Sequence, residues 1–146
     1  MFTNQKPSEG LGLLATIDPV SQAAGTISTA WIDQATYLAM LAVIQTGVLG
    51  ASATVDAKLQ QATDNAGTGA KDITGKAITQ IVKATGDNKQ VMINMKEADL
   101  DTEGGFRYVR LSITVGTAAS LVAAQLYGAI PRFMPATNQA ATVQVI

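Results

Sequence analysis

The sequence predicts an all-β chain, an antiparallel β-sandwich or jelly-roll-like single domain with an extended N-terminal arm. Three observations predict it. Short segments alternate apolar and polar residues, most clearly "FRYVRLSITVG" at 106–116. Stretches rich in Gly, Asn and Asp separate these segments at fairly even spacing, which gives about seven strands. No strand–helix–strand alternation marks a parallel sheet, and no internal repeat stands out.

The arm covers residues 1–25, "MFTNQKPSEGLGLLATIDPVSQAAG", and the sandwich covers 26–146. Pro7 and Pro19 each fix φ and lack a donor, so neither suits a helix interior or a central strand. Phe2, Leu11, Leu13, Leu14 and Ile17 are more apolar residues than a disordered tail carries. The arm therefore needs a surface to lie on, either a neighbouring subunit or its own domain.

The sandwich begins with "TISTAWID", β-branched and holding the single Trp, Trp31. "YLAMLAVIQTGVLG" at 37–50 is apolar on both parities and reads as a buried strand, although a short helix over 37–44 has the same pattern. In "ATVDAKLQQATD", Val55, Ala57 and Leu59 face one side and Thr54, Asp56, Lys58 and Gln60 the other. A long loop is expected over 63–77, then a short strand "AITQIV" at 77–82. "QVMINMKEADLD" points Val91, Ile93 and Met95 inward. In the 106–116 segment Val109, Leu111, Ile113 and Val115 share a face. "ASLVAAQLYGAI" is its return strand, and "PRFMPATNQAATVQVI" ends in a short β-prone segment.

Composition narrows function. Charged residues are 14% of the chain against 47% hydrophobic, where a soluble domain usually has about 25% charged. Such a chain has little to solvate a free surface, which favours burial against other chains. The charge is most sparse over 1–52, which makes that third the expected core and intersubunit contact. The net charge of −1, with scattered lysines and arginines, offers no footprint for nucleic acid. No His and no Cys are present, so the commonest general base, thiol chemistry and the strongest metal ligands are missing. No apolar run approaches the ~18 residues of a membrane span, and "MFTNQKPSEG" does not read as a secretory signal.

Three motifs invite chemistry. "TDNAGTGAKDITGKA" is rich in glycine and lysine, but five residues separate Gly69 from Gly75, and Ala77 follows Lys76 where a phosphate loop needs Ser or Thr. Turn-forming Gly, Asn and Asp account for it. "KEADLDTEGG" places Glu97, Asp99, Asp101 and Glu103 close together, as a cation loop would. It does not follow the EF-hand pattern, since Arg110 stands where the bidentate Glu would be if Asp99 were first. A solvated corner explains it better. "FRYVR" sets Arg107 and Arg110 around Tyr108, and Arg110 is expected to pair with an acid on a neighbouring strand or chain. No cofactor is implied.

The order of "VLGASATVDAKLQQATDNAGTGAKDITGKAITQI", "DNKQVMINMKEADLD" and "GFRYVRLSITVGTAASLVAAQLYGAIPRF" resembles small structural proteins of tailed bacteriophages and prophages, over roughly residues 37–135. The resemblance implies a non-enzymatic virion component, foremost a head decoration (cement) protein on the capsid exterior, made in the host cytoplasm. Its partners would be the major capsid protein and further copies of itself, as a homotrimer. A neck or tail component, or a carbohydrate-binding host-attachment module, is the alternative. The expected contact residues are Phe2, Leu11, Leu13 and Leu14 of the arm together with Trp31, Tyr108 and Arg110.

Overall fold

A computed structural model describes residues 4–146. After a single turn α1 (Pro7–Gly10), the strands run β1 (Leu11–Gln22), β2 (Gly25–Ser28), β3 (Ile32–Asp33), β4 (Tyr37–Thr46), β5 (Thr54–Ala62), β6 (Lys71–Ala77), β7 (Ile81–Val82), β8 (Gln90–Lys96), β9 (Tyr108–Gly116) and β10 (Ser120–Pro131). The one-turn helix α2 (Lys83–Gly86) joins β7 to β8. No helix is long and apolar enough to cross a membrane among the described residues.

Two antiparallel sheets result, one in the order β1-β10-β4-β8 and the other β2-β9-β5-β6. We call them the first and second sheets. β3 extends the β2 edge against β9, and β7 extends the β6 edge against β5. Treating each of those pairs as one interrupted strand leaves a nested pattern. The first strand pairs with the last, the second with the second last, β4 with β8, and β5 with β6. That nesting, closed across two stacked sheets, is a jelly roll.

The core forms because each strand turns one parity inward. Met40, Ala42 and Ile44 of β4 and Val122, Ala124 and Leu126 of β10 meet Val55, Ala57 and Leu59 of β5 and Val109, Leu111, Ile113 and Val115 of β9. The alternation read in β5, β8 and β9 is the alternation found, with Ile93 and Met95 buried and Val91 half-buried. The segment 37–46 is strand, not helix.

Four expectations are corrected. Residues 1–25 are not an arm over their described length, because Leu11–Gln22 is a twelve-residue edge strand zipped to β10. Two bulges, between Leu13 and Ala15 and between Ile17 and Val20, absorb the residues that blurred its period. Pro19 sits within the second bulge, where a missing donor is tolerated. The loop after β5 is shorter than expected, since Lys71–Ala77 is strand β6. Only Ile73 is buried along it, so β6 is a polar edge strand with little apolar signal. The expected strand 77–82 is accordingly reduced to Ile81–Val82. The end of the chain forms no strand; instead 136–139 lies along the free edge of β1, with Leu13 N donating to Asn138 Oδ1 at 2.7 Å and Gln139 N to Leu13 O at 2.7 Å.

One end of the sandwich closes on Tyr37, which is 2% exposed. Its hydroxyl donates to Thr137 O at 2.9 Å, and its ring passes beneath Gly12 and Gly128, which are register partners. A Cβ on Gly128 would stand 2.6 Å from the ring, and one on Gly12 would stand 2.4 Å from Thr137 O. Gly128→Ala is therefore expected to cost about 1–3 kcal/mol by overpacking, a melting-temperature fall of roughly 3–10 °C by calorimetry. An unchanged midpoint would mean that Tyr37 is free to move aside.

Candidate functional site

A cleft lined by Gln34, Glu97, Phe106, Arg107 and Arg132 has its charges paired within the fold, Arg107 with Asp33 and Arg132 with Glu97. The candidate site is therefore a choice between outer faces, and the two sheets present different chemistry. On the second sheet the outward residues are hydroxyls, amides and charges. Thr26 meets Thr114 at 2.8 Å, and Ser28 donates to Ser112 at 3.1 Å, which ties β2 to β9. Arg110 Nε donates to Gln60 Oε1 at 2.9 Å, Gln60 Nε2 to Asp72 Oδ1 at 2.8 Å, and Lys58 Nζ bonds Asp72 Oδ2 at 2.8 Å. This network crosses β9, β5 and β6. Its far end is Trp31, whose ring lies 4.5 Å from the Arg110 guanidinium. Arg110 thus meets an amide and an aromatic ring, not the acid expected of it. Arg107 takes the acid, pairing with Asp33 through two nitrogens.

The glycine-rich loop belongs to the same construction. Asp64 Oδ1 accepts from Ala66 N at 2.9 Å and Thr68 N at 3.0 Å, a side-chain-closed turn. Gly67, at φ +87, lays the loop against Trp31, where a Cβ would sit 2.6 Å from the indole nitrogen. One face of Trp31 is covered by Arg110 and its edge by the loop.

The acidic corner is internally neutralised. Asp99 meets Lys76 at 2.9 Å and accepts from Lys96 N at 2.7 Å. Asp101 meets Lys71 at 2.6 Å and accepts from Gly104 N at 3.0 Å. Glu97 pairs with Arg132. Lys71 also lies 4.1 Å above the Phe106 ring. Among the described residues no group of three or more acids is placed to hold a metal ion.

The first sheet is different. By alternation, and opposite the buried Met40, Ala42, Ile44, Val122, Ala124 and Leu126, its outward residues form cross-strand rows. One row is Leu11, Ala129, Ala39 and Lys96; the next is Leu13, Tyr127, Leu41 and Asn94. A third is Thr16, Gln125, Val43 and Met92, and beyond it stand Ala123, Gln45 and Gln90. Lys96 is the one charge in these rows. A shallow groove at the upper end is lined by Pro19, Val20, Gln45, Gln90, Leu121 and Ala123 among others, all uncharged. The lower end carries exposed Leu38, Ile130, Phe133 and Met134. Ile130 holds φ +54, a conformation that costs a β-branched residue energy.

The expected contact residues do not converge. Leu11 and Leu13 stand on the outer face of the first sheet. Leu14, at a bulge, packs against the core instead. Trp31, Tyr108 and Arg110 belong to the second sheet, and Phe2 lies outside the described residues. Sequence reasoning missed Leu41, Val43, Met92, Leu121 and Ala123. For Leu41 and Val43 the signal is present in "YLAMLAVIQT", which is apolar on both parities; Met92, Leu121 and Ala123 lie in strands read for their inward face alone.

Aspartates 33, 72, 87 and 101 are held below the ordinary carboxylate range chiefly by hydrogen bonds from Arg107, Lys58, Lys83 and Lys71, and Asp99 by the Lys96 amide. A lowered folded pKa stabilises the fold fully above the unfolded value near 3.9 and ceases to do so as pH falls through the folded value. With no His in the chain, the melting temperature is expected to be flat from about pH 5 to 8 and to fall below about pH 4. A step between pH 5 and 8 in a calorimetric series would contradict this.

No protein-family model matches the sequence, and no curated protein matches it. Similar solved structures include the SPBc2 prophage-derived protein YomS, at 9% identity and TM-score 0.43 over 81% of this chain and 93% of that one. A chain of the Cowpea mosaic virus top component, naturally occurring empty particles, aligns at 8% identity and TM-score 0.44 over 93% and 97%. The C-terminal family 22 carbohydrate-binding module of Clostridium thermocellum Xyn10B aligns at 13% identity and TM-score 0.41 over 89% and 90%. At these values the likenesses decide nothing about function.

Proposed function

We propose that the protein is a non-enzymatic structural component of a bacteriophage virion, foremost a decoration protein that docks on the outer surface of the major capsid protein lattice and stabilises the head. The observation that carries this reading is the charge-poor outer face of the first sheet, with Lys96 at one corner and Asp18 beside Thr16. Leu11, Leu13, Leu41, Val43 and Met92 put apolar side chains across it, and exposed apolar surface on a sheet face marks an interaction site. Four strands about 4.8 Å apart and eight residue steps of about 3.3 Å give roughly 500 Å² in plan. Its rim of Leu38, Ile130 and Phe133 brings it toward the ~800 Å² per partner of a standard interface.

The mechanism is passive. Burying the apolar part of that face, roughly 300 Å², gains about 7–8 kcal/mol at ~25 cal/mol/Å², set against an association cost of similar size. Each copy contributes modestly, and repetition over a lattice makes the gain large. Further copies of the chain are the second class of partner. The resemblance in the 37–135 segment supports the virion setting, and the absence of a His or Cys from the sequence supports a role without catalysis. A host-attachment module would use Trp31, yet its ring is covered by Arg110, which speaks against a sugar platform there.

The test is binding to undecorated heads. Val43→Asp, on the outer face of β4, is expected to leave melting unchanged and to abolish co-sedimentation with heads. Asp56→Lys on the other sheet is expected to bind as the parent does. Retained binding by Val43→Asp would sink the proposed face. Quantitative mass spectrometry of virions separates head from neck: many copies per particle support decoration, and a handful support a neck role.

A further inference from the structure

We propose that residues 142–146 of one copy add as a fifth strand to the free edge of β8 in a second copy. This gives the self-association suggested above its residues, and it rests on that reading. The edge is defined by hydrogen-bond parity. Thr46 N donates to Lys89 O at 2.9 Å, so the pairs Ile44–Val91 and Ala42–Ile93 bond in turn within the β4–β8 ladder. Gln90, Met92, Asn94 and Lys96 therefore aim their backbone groups away from β4. Lys96 N confirms the direction, because it donates outward to Asp99 Oδ2 at 2.7 Å. Among the described residues nothing pairs with the backbone of Gln90, Met92 or Asn94. The opposite edge of the same sheet, β1, is covered at Leu13 by 136–139. Proteins rarely leave a strand edge open without a purpose or a guard.

The complementary piece is the segment that follows. After Thr142 N bonds Gln139 O, no hydrogen bond among the described residues holds the chain. Val143 is 96% exposed and Ile146 100% exposed, and the segment "TVQVI" carries no charged side chain. It is β-branched and alternating, as an added strand should be. Val143 and Val145 share a parity, and a groove beside β8, lined by Ile78, Thr79, Met92 and Ile93, can receive them.

The occupant must come from another copy. Gln139 is fixed to Leu13 on β1, and β8 lies at the far side of the sheet. The seven residues 140–146 extend at most about 24 Å. Crossing the sheet uses roughly 19 Å, which leaves too little to pair five residues. A donor segment and an acceptor edge at different places on one surface make a head-to-tail contact, which closes into a ring or continues as a chain.

Sedimentation velocity on the full chain over a concentration series, compared with two variants, tests this. Deletion of 142–146 leaves an acceptor only. Met92→Pro leaves a donor only, since the lost N–H points away from β4 and an edge strand tolerates it. The parent is expected to self-associate, each variant to sediment as a monomer, and an equimolar mixture of the two to form a one-to-one complex. A monomeric parent overturns both this inference and self-association. An oligomer that persists in the deletion variant, or a mixture without complex, overturns the strand exchange alone. The deletion result decides even if Met92→Pro fails to fold.

Discussion

Strand β10 is the element on which the rest of the molecule depends. It pairs with β1 on one side and β4 on the other, so without it the first sheet is two separate pieces. Its inward residues, Val122, Ala124 and Leu126, press on the core, and Gly128 makes room for Tyr37. Its outward residues, Leu121, Ala123 and Tyr127, form the middle of the charge-poor face. One strand thus sets both the closure of the sandwich and the chemistry of its proposed docking surface. Its small residues suit both tasks, because they let the sheets approach within and keep the surface flat without.

The few charges are distributed, not scattered. Lys58–Asp72, Lys71–Asp101, Lys76–Asp99 and Arg107–Asp33 lie on the second sheet or the loops around it, and Lys83–Asp87 and Arg132–Glu97 lie at the ends of the sandwich. Exposed pairs of this kind contribute little to stability. Their effect is spatial: they keep one side of the molecule wet and leave the other with few charges, Lys96 and Asp18. A low charged fraction, read from composition as sparse solvation everywhere, is in the structure a contrast between two sides.

What the sequence made legible follows from which physics acts locally. The inward residues of β5, β8 and β9 were readable because alternation against a core is a local pattern. β1 was not, since two bulges broke its period and its pairing with β10 is a contact across nearly the whole chain. β6 was not, since a polar edge strand is held by backbone bonds and shows almost no apolar pattern. The candidate face was half legible. Leu11 and Leu13 were singled out for lacking a place to lie, and they do stand on it. Leu41 and Val43 fall in a segment apolar on both parities, and alternation cannot say whether the second parity faces the same chain or another. Trp31, Tyr108 and Arg110 were chosen for their chemistry, and that chemistry is largely spent within the fold.

The nested pairing has a consequence for how the chain is made. Within this sequence β1 is made long before its partner β10, and β2 waits almost as long for β9. Before then the inner pairs alone can close, β5 with β6 and then β4 with β8, which is too little to be stable. The apolar residues of β1 and β2 stay unpaired meanwhile, and closure over such long separations is slow. Each strand that waits leaves an unpaired edge and apolar surface exposed, which is where such a chain is prone to aggregate before it folds.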